Sequence, residues 1–227
     1  MKETLRNDQA PVIAIDGPSA SGKGTVAKEV AATLGFHYLE SGALYRLVAL
    51  ASLNGGVPAS DEARLADTAA GLPVEFRAER IFLSGIDVTD AIRDEAVGIR
   101  ASEIAPLPQV RAALLHRQRA FRQPPGLVAE GRDMGSIVFP DARLKVFLTA
   151  SLEERAQRRH KQLIDKGIHA TLRTLFRDLA ERDRRDAARS VAPLVAASDA
   201  VHIDATNLSV QDVVAEVLRS YRKQEMQ

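Results

Sequence analysis

Short apolar runs alternate with longer amphipathic segments along most of the chain. The runs are each short enough to be a single strand and lie at residues 12–15, 36–39, 127–130, 145–148 and 201–203. In the segments between them, apolar residues recur three or four positions apart, which is typical of helices packed on one face. The alternation predicts an α/β fold with a parallel sheet flanked by helices. Such sheets bind ligands at the carboxyl ends of their strands.

The pattern changes between about residues 60 and 100. Short β-type runs at 74–76, 80–84 and 87–88, with Gly85 at a turn, follow one another without helices between them. This spacing predicts a small antiparallel meander, inserted as a lobe into the same domain. Near the C-terminus, Ser209 followed three residues later by Asp212 predicts a capping box at the start of the last helix.

A glycine-rich loop follows the first apolar run directly. Its sequence is Gly17-Pro18-Ser19-Ala20-Ser21-Gly22-Lys23-Gly24-Thr25, and the apolar positions after it have helical spacing as far as a predicted C-cap at Gly35. In this order of strand, loop and helix, backbone N–H groups converge on phosphate oxygens while Lys23 neutralises the outer phosphates. The residue after the lysine is Gly24, and the usual hydroxyl comes one position later on Thr25. This variant favours a small-molecule kinase over a GTPase switch.

Polar residues follow the second apolar run, where a helix is expected to begin. Ser41 and the free N–H groups of that helix can bind a polar ligand, Tyr45 offers a hydroxyl, and Arg46 offers a planar two-pronged donor for phosphate. An ordinary capped helix with a solvated arginine would have the same sequence.

A second polar cluster follows the third run, where the strand is expected to end. Glu130 suits a magnesium ion held through water, Arg132 suits a phosphate, and Asp133 suits a base or a sugar. A simple polar turn is the alternative interpretation.

The segment from Arg155 to Arg189 is strongly basic, with nine arginines and two lysines against five acids. It suits a helical lid that closes over polyphosphate, a nucleic-acid surface or a solvated face with ion pairs. Phe176 is its one aromatic residue, which weighs against single-strand binding, so the lid is preferred. We expect Arg155, Arg173 and Arg177 to be surface or ion-pair residues. Better ligand candidates are Arg158, Arg159 and the run 182–189.

Composition agrees with an enzyme of the cytoplasm. The 227 residues are 45% hydrophobic, carry a formal net charge of +1 and include no cysteine, so disulfides and thiolate metal sites are excluded. We expect neither a nucleic-acid nor a membrane partner, because no global charge excess, targeting segment or bilayer-length apolar run is present. The five histidines show no metal-ligand spacing.

Taken together, these motifs resemble those of the bacterial cytidylate kinases, a branch of the nucleoside monophosphate kinases. The resemblance runs from Val12 to about Asp204. It is carried by IDGPSASGKGT at 15–25, SGALYR at 41–46, EGRDMG at 130–135, FPDA at 139–142, RAQRR at 155–159, RDRRDAAR at 182–189 and APL at 192–194.

The resemblance implies a fold, an activity and partners. It implies one P-loop kinase domain over 1–227, with an inserted CMP-binding lobe at about 46–120 and a helical lid arm at about 158–188. The expected reaction is phosphorylation of CMP or dCMP by ATP with Mg²⁺, in a monomer. The lobe and the lid are expected to close on the nucleotides.

The resemblance also implies roles for single residues. Residues 17–25 resemble the ATP phosphate cradle. The residues expected to neutralise the transferring group are Lys23, Arg132, Arg158, Arg159 and Arg189. Thr25 and Glu130 are candidate magnesium ligands, the latter through water. The expected CMP contacts are Ser41, Arg111 and Asp133 for the base, Tyr45, Arg46 and Arg132 for the phosphate and its surroundings, Ser102, Arg182 and Asp186 for the ribose, and Arg189 for both base and phosphate.

One position departs from the family pattern, and three other functions remain open. Glu40 stands where the family usually has aspartate, and no role is assigned to it. The nearest alternative is another small-molecule P-loop kinase that phosphorylates a different acceptor. A GTPase-like switch is disfavoured because the chain lacks an Asn-Lys-x-Asp motif. A nucleic-acid-binding module using the basic arm is the non-enzyme alternative, and it predicts salt-dependent oligonucleotide binding.

Overall fold

The structure is a computed structural model that describes residues 9–77, 80–165, 167–188 and 191–226. Its strands are β1 (Val12–Asp16), β2 (His37–Glu40), β3 (Val74–Arg77), β4 (Arg80–Leu83), β5 (Ile86–Asp87), β6 (Leu127–Gly131), β7 (Leu144–Thr149) and β8 (Val201–Asp204). Its α-helices are α1 (Lys23–Leu34), α2 (Ser41–Asn54), α3 (Glu62–Ala70), α4 (Glu95–Ile104), α5 (Pro108–Ala120), α6 (Leu152–Ile164), α7 (Leu172–Ala187) and α8 (Val210–Glu225). A 3₁₀ turn covers Ala91–Arg93 and a π-helix covers Met134–Val138.

The described residues form two compact units. The first unit takes its residues from 1–39, 120–188 and 193–227, and the second takes them from 40–119 and 189–192.

The central sheet has five strands in the order β2-β6-β1-β7-β8. β1 pairs in parallel with β6, from Val12 opposite Leu127 to Asp16 opposite Gly131, and in parallel with β7 on its other side. β7 in turn pairs in parallel with β8. The predicted α/β fold with a parallel sheet flanked by helices is therefore confirmed.

Helices α1 and α8 cover one face of this sheet. Val26, Val30 and Ala31 of α1 and Val213 and Val217 of α8 are buried in one apolar cluster with the strand residues. Burial of this apolar area is the main source of stability for the first unit. The capping box of Ser209 and Asp212 at the start of α8 is present as the sequence predicts.

The second strand begins one residue later than predicted. Gly35 ends α1 in the left-handed conformation, and the N–H of Phe36 donates to the carbonyl of Ala31. Phe36 therefore belongs to the helix cap, and its ring lies so close to Gly126 that a Cβ there would come within 2.5 Å. A capping bond and a close packing contact thus remove Phe36 from the strand.

The second unit contains helices α2 to α5 and the predicted meander. β4 pairs in antiparallel fashion with β3 and with β5, which confirms the antiparallel meander predicted for this part of the sequence. Leu44, Leu47 and Val48 of α2 are buried, as are Val97 and Ala101 of α4. No helix among the described residues has both the length and the apolarity that crossing a membrane requires.

Candidate active site

The P-loop (residues 17–25) connects β1 to α1 and has the predicted strand–loop–helix form. A Cβ on Gly17 would lie 2.1 Å from the carbonyl oxygen of Leu148 in β7, so only glycine allows this approach. Gly22 caps the start of α1 with a φ of 94°. The positive end of the α1 dipole therefore faces the loop, which favours a bound anion.

Lys23 is buried at the first position of α1. Its Nζ donates to the carbonyl oxygen of Pro18 at 3.2 Å and lies 3.7 Å from Glu130 Oε2 at the end of β6. Gly24 leaves space beside this pair, since a Cβ there would lie 3.7 Å from Glu130 Oε1. This is an ordinary van der Waals distance, so the packing around Gly24 does not itself require glycine.

Arg132 and Asp186 contact each other and the P-loop. Arg132 Nε donates to Asp186 Oδ2 at 2.9 Å, and Arg132 Nη2 donates to Ser19 Oγ at 2.7 Å. Asp186 is almost completely buried in α7, and Arg182 lies one helical turn before it, half-buried. Two residues predicted from separate motifs to bind CMP are thus neighbours within the first unit.

Asp16, which the sequence analysis did not single out, positions the turn after Arg132. Its two carboxylate oxygens each accept a backbone N–H, from Met134 and Gly135, at 2.8 Å. Asp133 is buried directly before the π-helix, and its carbonyl oxygen accepts from the N–H groups of Ile137 and Val138. The signal for Asp16 in the sequence was an acidic residue at the end of an otherwise apolar strand.

Burial raises the pKa of Asp16 to about 6, from an ordinary value of 3.8. The nearby Asp133 carboxylate adds to this rise, whereas the two backbone hydrogen bonds and Arg132 oppose it. Desolvation dominates because an ionised carboxylate loses its hydration inside the fold.

The stability of the protein should therefore depend on pH through Asp16. The folded state binds this proton more tightly than the unfolded state, so ionisation of Asp16 destabilises the fold as the pH rises from about 4 through 6. Relative to an Asp16→Asn variant, we expect the free energy of unfolding of the wild type to fall by about 2 kcal/mol between pH 4 and 7. Urea denaturation of both proteins across this range measures the difference.

Asp61→Asn is the matched control, because Asp61 also accepts a backbone N–H at a helix start but lies in α3, in the other unit. A wild-type to Asp16→Asn difference that stays constant between pH 4 and 7 would contradict the assignment.

Arg155 and Arg158 of α6 both contact the backbone of the P-loop. Arg158 donates to the carbonyl oxygens of Ser21 at 3.0 Å and Ala205 at 2.6 Å, and to Glu154 Oε1 at 2.8 Å. Arg159 is half-buried beside it. Of the two alternatives expected for Arg155, the structure shows the ion pair, because its guanidinium binds Asp183 and the residue is only 5% exposed. Arg173 and Arg177 are exposed.

A cavity of about 380 Å³ opens beside the P-loop. Thr25 and Val26 of α1 form one wall, Arg158 lies on another, and Leu208, Val210 and Val213 add apolar surface. Sequence reasoning did not find the contribution of residues 205–213, because only the fold brings that segment to the loop.

In the second unit, Tyr45 and Arg111 are neighbours. Arg111 Nη1 donates to Tyr45 Oη at 3.3 Å and to the carbonyl oxygen of Ala105 at 3.4 Å. Tyr45 is buried on α2, as is Ser41 at the first position of that helix.

Arg46 is held by the segment before α4. Its Nη1 donates to the carbonyl oxygen of Ile92 at 2.8 Å, and a Cβ on Gly98 would lie only 3.2 Å from the guanidinium. Arg93, which belongs to the same 3₁₀ turn as Ile92, places its Nη2 atom 3.7 Å from Glu40 Oε2. Glu40, to which the sequence assigned no role, therefore has an ion-pair partner. The Ser102 hydroxyl is buried and has no hydrogen-bond partner in the part of the chain that the structure describes. The predicted ligand Arg189 lies outside the described residues.

Comparison with known proteins identifies the family. A sequence model of the cytidylate kinase family matches residues 13–223. The chain belongs to the cytidylate kinase family. The cytidylate kinase of Chromobacterium violaceum is 57% identical over 215 residues, covering 95% of this chain and 97% of its relative. That of Bordetella bronchiseptica is 58% identical, with 94% and 96% covered, and that of Burkholderia pseudomallei is 57% identical, with 98% of both covered.

The resemblance predicted from the motifs is thereby confirmed for almost the whole chain. Family membership also explains the order of the cytidylate kinase motifs around the sheet. The P-loop follows β1, the EGRDMG motif begins in the last two residues of β6, and these adjacent strands end at the same edge.

Proposed function

We propose that the protein transfers the γ-phosphoryl group of ATP to CMP and dCMP, giving ADP with CDP or dCDP. One observation carries the proposal. Arg132, a cation suited to an acceptor phosphate, donates to Ser19 of the P-loop, which is suited to the donor phosphates. In a chain 57–58% identical to cytidylate kinases over nearly its full length, this arrangement supports CMP as the acceptor.

The donor nucleotide is proposed to bind along the P-loop and the adjoining cavity. The loop N–H groups and Lys23 would receive the phosphates, and the apolar wall formed by Val26, Leu208 and Val210 would receive the base. At about 380 Å³ the cavity has room for a purine nucleoside. The guanidinium of Arg158 lies at its wall and adds positive charge close to the phosphates.

We infer that the acceptor binds the residues that the family resemblance implies for CMP. These are Ser41, Tyr45, Arg46, Ser102, Arg111, Arg132, Asp133, Arg182, Asp186 and Arg189. The buried hydroxyl of Ser102 has no hydrogen-bond partner among the described residues, which supports a role in binding a sugar hydroxyl. Since Arg132 and Asp186 bind each other here, CMP would replace this ion pair with its phosphate on Arg132 and its ribose on Asp186.

The chemistry needs alignment and charge neutralisation rather than a covalent enzyme intermediate. An oxygen of the CMP phosphate attacks the γ-phosphorus in line, and the bond from that phosphorus to the β–γ bridging oxygen breaks, so ADP leaves. Lys23 and the loop N–H groups neutralise the charge that develops on the donor. The CMP phosphate is largely ionised near pH 7, so no strong general base is required.

Magnesium is proposed as the metal cofactor, with Thr25 and Glu130 as the residues that would hold it. The described residues contain no cluster of three or more histidines, aspartates or glutamates that could hold a metal ion. This fits magnesium, which keeps several waters and takes its other ligands from one or two side chains and the substrate phosphates. The ion would supply positive charge at the donor phosphates, and the Glu130 carboxylate is already balanced by Lys23.

The organisation of the chain and its partners are part of the proposal. We infer one P-loop kinase domain over 1–227, in which about 46–120 is the CMP-binding lobe and about 158–188 the lid arm. The protein would act as a monomer in the cytoplasm on small-molecule substrates, without nucleic acid or membrane. Closure of the lid would keep water from the γ-phosphate and so prevent hydrolysis.

The test is a chromatographic assay of products from ATP, Mg²⁺ and CMP. We expect ADP and CDP to form in equal amounts, with little ADP when CMP is omitted. Formation of ADP at the same rate without CMP would reject the proposal, because the protein would then be a nucleotide hydrolase.

A further inference from the structure

Arg155 has an environment that its position in a basic helix does not suggest. Its guanidinium donates to the carbonyl oxygens of Ala150 at 3.0 Å and Ser19 at 3.2 Å. It also makes a two-pronged ion pair with Asp183 of α7, at 3.1 Å and 2.6 Å. All three guanidinium nitrogens are thus engaged, and the residue is 5% exposed. A buried arginine with this many partners fixes the groups around it.

Arg155 and Arg158 hold alternate carbonyl groups of the P-loop. Three residues apart on α6, they lie on the same face of the helix. Arg155 binds the carbonyl of Ser19, and Arg158 binds the carbonyl of Ser21. In a trans peptide the carbonyl and the following N–H point in opposite directions. The N–H groups of Ala20 and Gly22 are therefore turned away from α6, and so become available to a phosphate.

The loop needs this external support because its own backbone is strained. Ala20 has a φ of 60°, a left-handed conformation that is uncommon for a residue with a side chain. Such a conformation persists only where the surrounding structure enforces it. Ala20 lies between the two residues whose carbonyls the arginines bind, so these hydrogen bonds stabilise the strained segment.

Asp183 of α7 binds the Arg155 guanidinium and so links the P-loop contact of Arg155 to that helix. Its carboxylate is 27% exposed and takes both prongs of the Arg155 guanidinium. We propose that Arg155 is a positioning residue for the P-loop and that Asp183 sets its orientation, so that affinity for nucleotide phosphates depends on this ion pair. The inference rests on the proposed function only in taking ATP as the P-loop ligand.

The test compares Arg155→Lys and Asp183→Asn with wild type in equilibrium titrations of ATP and of adenosine. Lysine keeps the charge but cannot bind Asp183 and both carbonyls together. We expect ATP to bind about tenfold more weakly to Arg155→Lys and about three- to tenfold more weakly to Asp183→Asn. Adenosine, which has no phosphate, should bind within twofold of wild type in both. The variant that carries both changes should bind ATP with an affinity within twofold of that of Arg155→Lys, because the two changes disrupt the same ion pair.

Arg177→Lys is the matched control, since Arg177 forms an exposed ion pair with Asp178 on α7. It should leave both affinities unchanged. An equal loss of ATP and adenosine binding would overturn the proposal, because it would indicate general damage to the fold, and so would unchanged ATP binding in Asp183→Asn. If Arg155→Lys fails to fold, Asp183→Asn alone decides. Failure of the wild type to phosphorylate CMP would reject the proposed function. The ATP and adenosine titrations would still test the role of Arg155 and Asp183, because they measure binding and not turnover.

Discussion

Replacing Lys23 with alanine should lower kcat by about 100- to 1000-fold, the scale for loss of one preorganised charge that stabilises a transition state. Lys23 is held in place by Pro18 and Glu130 at the start of α1, so little rearrangement is needed for it to reach a phosphate. Steady-state and single-turnover rates of ADP formation measure the effect. Lys28→Ala is the control, because Lys28 is an exposed residue of the same helix.

A complication of this variant is that Glu130 loses the cation beside it while remaining 7% exposed. Removal of a cation beside a buried carboxylate destabilises a fold, so part of the loss of activity would come from unfolding. The double variant Lys23→Ala with Glu130→Gln removes both charges and should regain stability without regaining activity. A near-wild-type kcat in folded Lys23→Ala would contradict the assignment of the P-loop lysine.

Replacing Asp133 with alanine should reduce kcat/KM for CMP by about 10- to 100-fold and change that for UMP much less. Cytosine presents an amine that donates and a ring nitrogen that accepts, whereas uracil presents the reverse pattern. A carboxylate can accept from the amine, and an arginine such as Arg111 or Arg189 can donate to the ring nitrogen. Asp133 is buried at the start of the π-helix, so an unmatched polar group of the base would be costly there.

Asp133→Asn is the companion variant, because it keeps the size of the side chain and replaces one acceptor oxygen with a donor. In this variant the ratio of kcat/KM for CMP to that for UMP should fall below the wild-type ratio. An equal proportional loss for CMP and UMP in both variants would mean that Asp133 serves the sugar or the structure and that cytosine is recognised elsewhere.

Local sequence was sufficient for the parts of the site that depend on local physics. The P-loop was predictable because an apolar strand, glycines with positive φ and a helix start are all encoded within 20 consecutive residues, 12–31. The capping box of Ser209 and Asp212 was predictable for the same reason. The meander was recognised because its strands are neighbours in sequence and the turn at Gly85 is short.

Contacts between distant segments could not be predicted in this way. Arg155 and Arg177 both belong to the basic segment 155–189, yet Arg155 is buried against the P-loop and Arg177 is exposed. The difference arises because the face of α6 that carries Arg155 contacts the P-loop, and that contact depends on tertiary packing. The π-helix after Asp133 was missed likewise, because its first N–H groups are bound by Asp16, which lies more than 100 residues earlier.

The most direct test of the central claim is the rate of ADP formation with a panel of acceptors at fixed ATP and Mg²⁺. The panel is CMP, dCMP, UMP, AMP and shikimate, each compared by kcat/KM. We predict that CMP and dCMP exceed UMP by about 10-fold or more, the selectivity expected when buried polar groups match one base and oppose the other. AMP and shikimate should be poorer still. A kcat/KM for UMP, AMP or shikimate equal to or above that for both cytidine nucleotides would contradict the account.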